Sequence, residues 1–337
     1  MRVIFYNLAI LFVLISVGEI TLGYWLTDDN FGIHMRKERN KNWKTETIFN
    51  DVKYSFYYKR NFYGFRGEEF DPREVKIIFE GGSTSNQRLT PEKLTIVGLL
   101  NEKFKSDKTT IKIYNAATDG KSLRGIIYDF KYWFTKIKNF NPEYAIFYLG
   151  INERTLAGRL DEKMFDVSIQ EKKIDQIKDF VKNNSFIYSK YKTINNKYFP
   201  KEISGYFPEN KKLYSEFNYL NYEKAKVLDR KFSNEDEKII IQLENRLSLL
   251  KKMLDIRKIK PIIITQIEFD GLKNQRLFLV NEKLKEFSSN NNIPIIKLDE
   301  MIEMEINDFY DRVHTTPRGS KKIAEKIYPH LKKILLN

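Results

Sequence analysis

The chain of 337 residues predicts an α/β fold in which helices cover both faces of a parallel sheet. Three observations point there. Five short runs rich in β-branched and aromatic residues, at 75–79, 111–117, 144–149, 261–266 and 293–298, alternate with helix-length amphipathic segments. Strands separated by helices pair in parallel through right-handed crossovers, which lay the helices over the sheet. The first three runs end in polar turns carrying Ser, Gly and Asn, and hydrophobic residues make up 42% of the chain, enough for a sizeable core.

Ahead of the sheet, Val3 to Leu26 is an apolar stretch broken only by Asn7, Ser16, Glu19 and Thr21. About 20 such residues suffice to cross a bilayer as a helix. A cleaved signal peptide would carry small residues at a cleavage site; none is evident, and Tyr24-Trp25 suits an interfacial anchor, so an uncleaved anchor is expected over 1–26, with a signal segment and secretion after its cleavage as the alternative. Charge does not settle its orientation. Arg36, Lys37, Arg39, Lys41 and Lys44 follow the span and would be held in the cytoplasm, whereas an N-terminal span ahead of a folded body commonly exports that body. Residues 27–60 are polar without a sustained period and read as a tether. Between Asn61 and Gly67, Arg66 is expected to pair with an acid such as Glu69.

The first strand runs into Gly81-Gly82-Ser83-Thr84-Ser85, whose paired glycines permit a sharp turn and deliver Ser83 at a carboxyl-end edge, where open α/β sheets collect their chemistry. A helix over 91–104, capped by Thr90, should follow, then the second strand and its turn Thr118-Asp119-Gly120, then a helix over 122–140. The third strand ends in Gly150-Ile151-Asn152-Glu153. From 154 to 234 the rhythm lapses into an insertion rich in Tyr, Phe and Lys, which reads as a lid or substrate-binding element or as a helical subdomain with its own core. Order returns with a helix over 234–257 capped at Ser233 or Asn234, a strand, a helix over 274–290, the fifth strand and a last helix over 320–336.

Just ahead of that last helix stands Asp311-Arg312-Val313-His314. An Asp three residues before a His can fold back onto Nδ1–H, fixing the tautomer and leaving Nε2 to take a proton. With Ser83 this makes a nucleophile, a base and an orienting acid suited to acyl transfer. The backbone N–H of Ser83, the backbone N–H of Gly120 and the side-chain amide of Asn152 are the donors expected to meet a developing oxyanion. His34, His314 and His330 are far apart and no carboxylates cluster at ligand spacing, so neither metal nor cofactor is expected. The absence of cysteine excludes a thiol nucleophile, disulfides and thiolate metal sites. A net charge of +14 is spread along the chain without a nucleic-acid motif, so nucleic acid is not an expected partner.

In Gly81 to Ser85, Asn115 to Gly120, Gly150 to Glu153 and Asp311 to His314, the chain resembles the SGNH/GDSL hydrolases, whose four blocks carry Ser, Gly, Asn and His. The likeness covers roughly 60–152 and 235–335, and Glu153 departs from the Asp usual in the third block. It implies a three-layer, flavodoxin-like sheet of five parallel strands over 61–337. It also implies Ser83, Asp311 and His314 as a catalytic triad with Ser83, Gly120 and Asn152 as oxyanion hole. The N-terminal span and the Asn61 to Gly67 segment further resemble a membrane-anchored bacterial branch, implying a catalytic body in the periplasm or at the cell exterior. The expected function is removal of an O-acyl group, acetyl above all, from an envelope glycan or lipid; O-acyl transfer to a glycan and glycan binding without catalysis are the alternatives.

Overall fold

The computed structural model describes residues 2–26, 38–155, 173–207, 215 and 217–336. Its strands are β1 (Lys41–Phe49), β2 (Val52–Arg60), β3 (Ile77–Gly81), β4 (Ile113–Asn115), β5 (Tyr144–Tyr148), β6 (Lys201–Phe207), β7 (Lys260–Ile264) and β8 (Ile295–Ile296). Five of them form the expected parallel sheet in the order β4-β3-β5-β7-β8. The chain steps from β3 to β4 on one side and then back across β3 to β5 on the other. A crevice therefore opens between the carboxyl ends of β3 and β5, the switch point of a flavodoxin-like order.

Both faces are buried, and the period of two sorts the side chains between them. Ile78, Ala145, Phe147 and Ile263 point into one layer, against Phe130, Trp133 and Leu243. Ile77, Phe79, Ile146, Tyr148, Ile262 and Ile264 point into the other, against Leu100, Phe104, Ile323 and Leu331. Helices Asn234–Arg257 and Gln275–Asn290 begin at side-chain caps, Ser233 in a capping box and Asn274 accepting from Arg276 and Leu277.

Several expectations are corrected. The helix after the first strand starts later, at Ile96, because Thr95 is its cap, accepting from Gly98 N–H; the Thr90 carbonyl is taken by Arg66 Nη2 at 2.6 Å. The helix foreseen over 122–140 stays regular only for Leu123–Tyr128, widens into a π turn at Asp129–Trp133 and tightens at Phe134–Lys136. The widening accompanies an Asp129 side chain turned inward to a lysine. Arg66 pairs not with Glu69 but with Glu92 at 2.5 Å, while Glu69 accepts from Phe62 N–H.

The largest correction concerns the tether. Residues 41–60 form the antiparallel hairpin of β1 and β2, and β6 from the insertion adds in parallel to β1 as the third strand of a second sheet. Asn50 and Asp51 both adopt left-handed φ, 45° and 65°, as a two-residue hairpin turn demands. Hydropathy hides this strand because its inward residues include Thr45 and Thr47, both buried, while Lys44 and Glu46 alternate with them outside. Residues 27–37, with His34, and parts of the insertion lie outside the described residues.

Arg2–Leu22 is a 21-residue helix, the one among the described residues long and apolar enough to cross a membrane, and none of its residues is buried.

Candidate active site

Ser83 opens a helical turn, Ser83–Asn86, directly after β3. Its Oγ lies 2.7 Å from His314 Nε2, and His314 Nδ1 lies 2.7 Å from Asp311 Oδ2. The structure thus brings together three residues from opposite ends of the chain. The backbone N–H groups of Val313 and His314 donate to Asp311 Oδ1 at 2.9 and 2.7 Å, so the tight turn the spacing foretold aims the carboxylate. Burial alone would raise the Asp311 carboxyl; the His314 ring and these two N–H groups outweigh it and hold it below the usual carboxylate range.

Of the expected donors, the Asn152 amide is placed beside the serine turn by its contact with Gly82. A Cβ on Gly82 would fall 2.0 Å from Asn152 Nδ2, so the amide rests on the bare backbone beside Ser83. This close approach is why glycine stands at 82. Its φ of −90° needs no special freedom, which corrects the turn-based reason for the pair. Asn152 Nδ2 donates to the Lys121 carbonyl at 2.8 Å, and its second hydrogen is not used in that bond. Gly120 has the left-handed φ of 73° that turns the Gly120–Lys121 segment under this amide. Glu153 holds the second and third strand-end loops together, accepting from Leu123 N–H at 2.8 Å and Gly150 N–H at 2.7 Å.

Other residues serve the site without any signal that sequence reasoning could use. Gln87 donates to Thr315 at 3.1 Å and Ser320 at 2.6 Å, tying the serine turn to the residue after His314. Buried Arg60, from β2, reaches Asn86 Oδ1 at 3.1 Å and the Ala117 carbonyl at 2.8 Å, bracing the first two loops. Tyr310 stacks on the His314 ring at 5.5 Å, and Phe49 and Phe207, at the ends of β1 and β6, pack on Tyr310 at 5.1 and 4.5 Å. The second sheet therefore backs the imidazole. All these are common residue types whose partners lie far away in the chain.

Beneath the rim lies a second charged group. Lys121 Nζ contacts Glu80 at 2.7 Å and Asp129 at 2.5 Å, and all three side chains are fully buried. Burial pushes both carboxyls above their usual range, Glu80 further because Asp129 faces it, and Lys121 offsets only part of this. Among the described residues no group of three or more His, Cys, Asp or Glu is arranged to hold a metal ion.

Neither protein-family models nor curated proteins match this chain. Solved structures do. A lipolytic protein of the G-D-S-L family from Veillonella parvula is 15% identical, covering 76% of this chain and 97% of that one, with a TM-score of 0.41. The psychrotrophic esterase EstA from a Pseudoalteromonas species is 12% identical over 78% and 99% of the two chains, with a TM-score of 0.41. A GDSL-like lipase from Bacteroides thetaiotaomicron is 11% identical over 79% and 92%, with a TM-score of 0.40. Identity and TM-scores are low, and the fold stands on the strand order given above.

Proposed function

We propose that this protein is a serine ester hydrolase of the SGNH type, removing an O-acyl group, acetyl above all, from a cell-envelope glycan or lipid. The observation that carries this reading is the unbroken chain of 2.7 Å contacts from Ser83 Oγ through His314 to Asp311 at the sheet's switch point. His314 Nε2 takes the Ser83 proton as Oγ attacks the ester carbonyl, and Asp311 stabilises the imidazolium that results. Negative charge on the carbonyl oxygen is met by the N–H groups of Ser83 and Gly120 and by the Asn152 amide. The imidazolium then protonates the leaving alcohol, and water, activated by the same nitrogen, releases the acid from Ser83. Helix Arg2–Leu22 serves as an uncleaved membrane anchor with the catalytic body outside the cytoplasm.

Replacing Ser83 by Ala should lower kcat for p-nitrophenyl acetate by on the order of 10⁴-fold or more, without a shift in thermal unfolding. Retained turnover in that variant would defeat the proposal. With an acetylated glycan and an alcohol acceptor supplied together, free acetate is the product expected.

A further inference from the structure

Helix Phe186–Tyr198 is amphipathic in the wrong sense for a soluble protein. Ile187, Tyr191, Ile194 and Tyr198 recur at one-face spacing and are 50%, 61%, 56% and 65% exposed. Phe199, next in the chain, is 74% exposed. The polar side faces the protein instead: Lys192 Nζ donates to the Arg39 carbonyl at 2.8 Å, Asn196 donates to the Asn40 carbonyl, and the Asn196 carbonyl accepts from Asn42 at 3.2 Å. The preceding helix, Lys173–Asn184, likewise leaves Ile177, Phe180 and Val181 exposed.

What covers this face is indicated by where the helix begins. The Glu19 carboxylate, inside the apolar helix Arg2–Leu22, accepts from Ser185 Oγ at 2.7 Å, Phe186 N–H at 2.9 Å and Ile187 N–H at 3.0 Å. Trp25 Nε1 donates to the same carboxylate at 3.1 Å, and the Asn184 carbonyl accepts from Tyr24 N–H at 2.8 Å. A 21-residue helix is about 31 Å long, the thickness of a bilayer's hydrocarbon core, and Glu19 sits about 4.5 Å short of its end. The exposed stripe therefore starts at the boundary between hydrocarbon and headgroups. Charge agrees, since residues 185–201 contain Lys190, Lys192, Lys197 and Lys201 and no acid.

We propose that helix Phe186–Tyr198 lies flat on an anionic lipid surface beside the N-terminal helix. Ile187, Tyr191, Ile194 and Tyr198 enter the acyl boundary, while Lys190 and Lys197 meet headgroup phosphates. This rests on the reading of Arg2–Leu22 as a membrane anchor. The chain passes from this helix into β6, one strand of roughly 23 Å, whose last residue Phe207 packs on Tyr310 behind His314, so a single strand joins the proposed lipid contact to the site.

The chain has no cysteine, so single labels can be introduced without background. Full-length Tyr191→Cys, Leu11→Cys and Glu325→Cys carry an environment-sensitive dye in vesicles of phosphatidylcholine with and without phosphatidylglycerol, using lipids spin-labelled at shallow or deep positions. The expected result is a blue shift and shallow-label quenching at 191, deep-label quenching at 11, and neither at 325. The signal at 191 should increase with phosphatidylglycerol and weaken in salt or in the Lys190→Gln, Lys197→Gln double variant. A water-exposed dye at 191 with a quenched dye at 11 overturns this inference and leaves the anchor standing. Loss of quenching at both overturns both. A dye at 191 already shielded in detergent, in proportion to protein concentration, assigns the stripe to a second copy of the chain and also overturns it.

Discussion

Two groups, each holding a carboxylate and a basic side chain, meet the end of β3, one through Ser83 and the other through Glu80, and are built on opposite terms. At the rim, the Asp311 and His314 side chains are 44% and 23% exposed, and His314 faces Ser83 in the crevice. Below it, Glu80, Lys121 and Asp129 are fully buried, and one oxygen of each carboxylate, Glu80 Oε1 and Asp129 Oδ1, has no partner among the described residues. A site that must pass protons to a substrate needs access and a carboxylate kept ionised by donors. A buried cluster of two acids and one ammonium favours holding a proton, because a second negative charge there costs more than Lys121 returns. One residue links the buried cluster to the third strand-end loop. The side chain of Lys121 anchors the buried cluster and its carbonyl accepts from the Asn152 amide, so the buried ion cluster holds a neutral donor expected at the site.

Four substitutions would break or sharpen this contrast. Asp311→Asn should cost the most in rate, about 10⁴-fold in kcat or some 5.5 kcal/mol of barrier, since Asn favours the wrong tautomer; the unfolding midpoint should barely move. Lys121→Met should act in the opposite way, lowering stability in urea by about 3–5 kcal/mol because two buried carboxyls lose their counter-charge. If that variant is as stable as the parent at neutral pH, the buried group is not an ion cluster. Asn152→Ala should lower kcat by about 10²–10³-fold, roughly 2.7–4 kcal/mol, with KM little changed.

Glu80→Gln carries the smallest effect and the most informative sign. In the fold, Glu80 keeps a proton that the unfolded chain releases above an ordinary value of about 4.3. Over the interval up to its raised folded value the native state binds more protons, so stability falls as pH rises. The unfolding free energy of the parent in urea should therefore decline from about pH 5 toward pH 8, and Gln at 80 should flatten that slope. An unchanged slope would assign the proton elsewhere.

The strand-end turns were legible because each candidate lies next to a strong local signal. Ser83 and Asn152 follow runs of buried β-branched and aromatic residues, and Asp311 reaches His314 through a three-residue turn that needs no distant help. The hairpin of β1 and β2 was not legible, because threonines occupy inward positions where a hydropathy pattern requires hydrocarbon. Arg66 was misassigned for a related reason: Glu69 is near in sequence, but Glu92 and the carbonyls of Asn86 and Thr90 are what the folded chain presents to its guanidinium.

By itself, then, the order of residues determined the layered architecture and which side chains reach the sheet's carboxyl edge, because periodicity, glycine and short-range turns act over a few positions. Only the tertiary structure decided what meets across the chain: the contact of Ser83 with His314, the sharing of Lys121 by two acids, and the backing of the imidazole by Tyr310, Phe49 and Phe207. Such contacts depend on how distant segments pack, and packing selects partners from residue types that are common everywhere in the sequence.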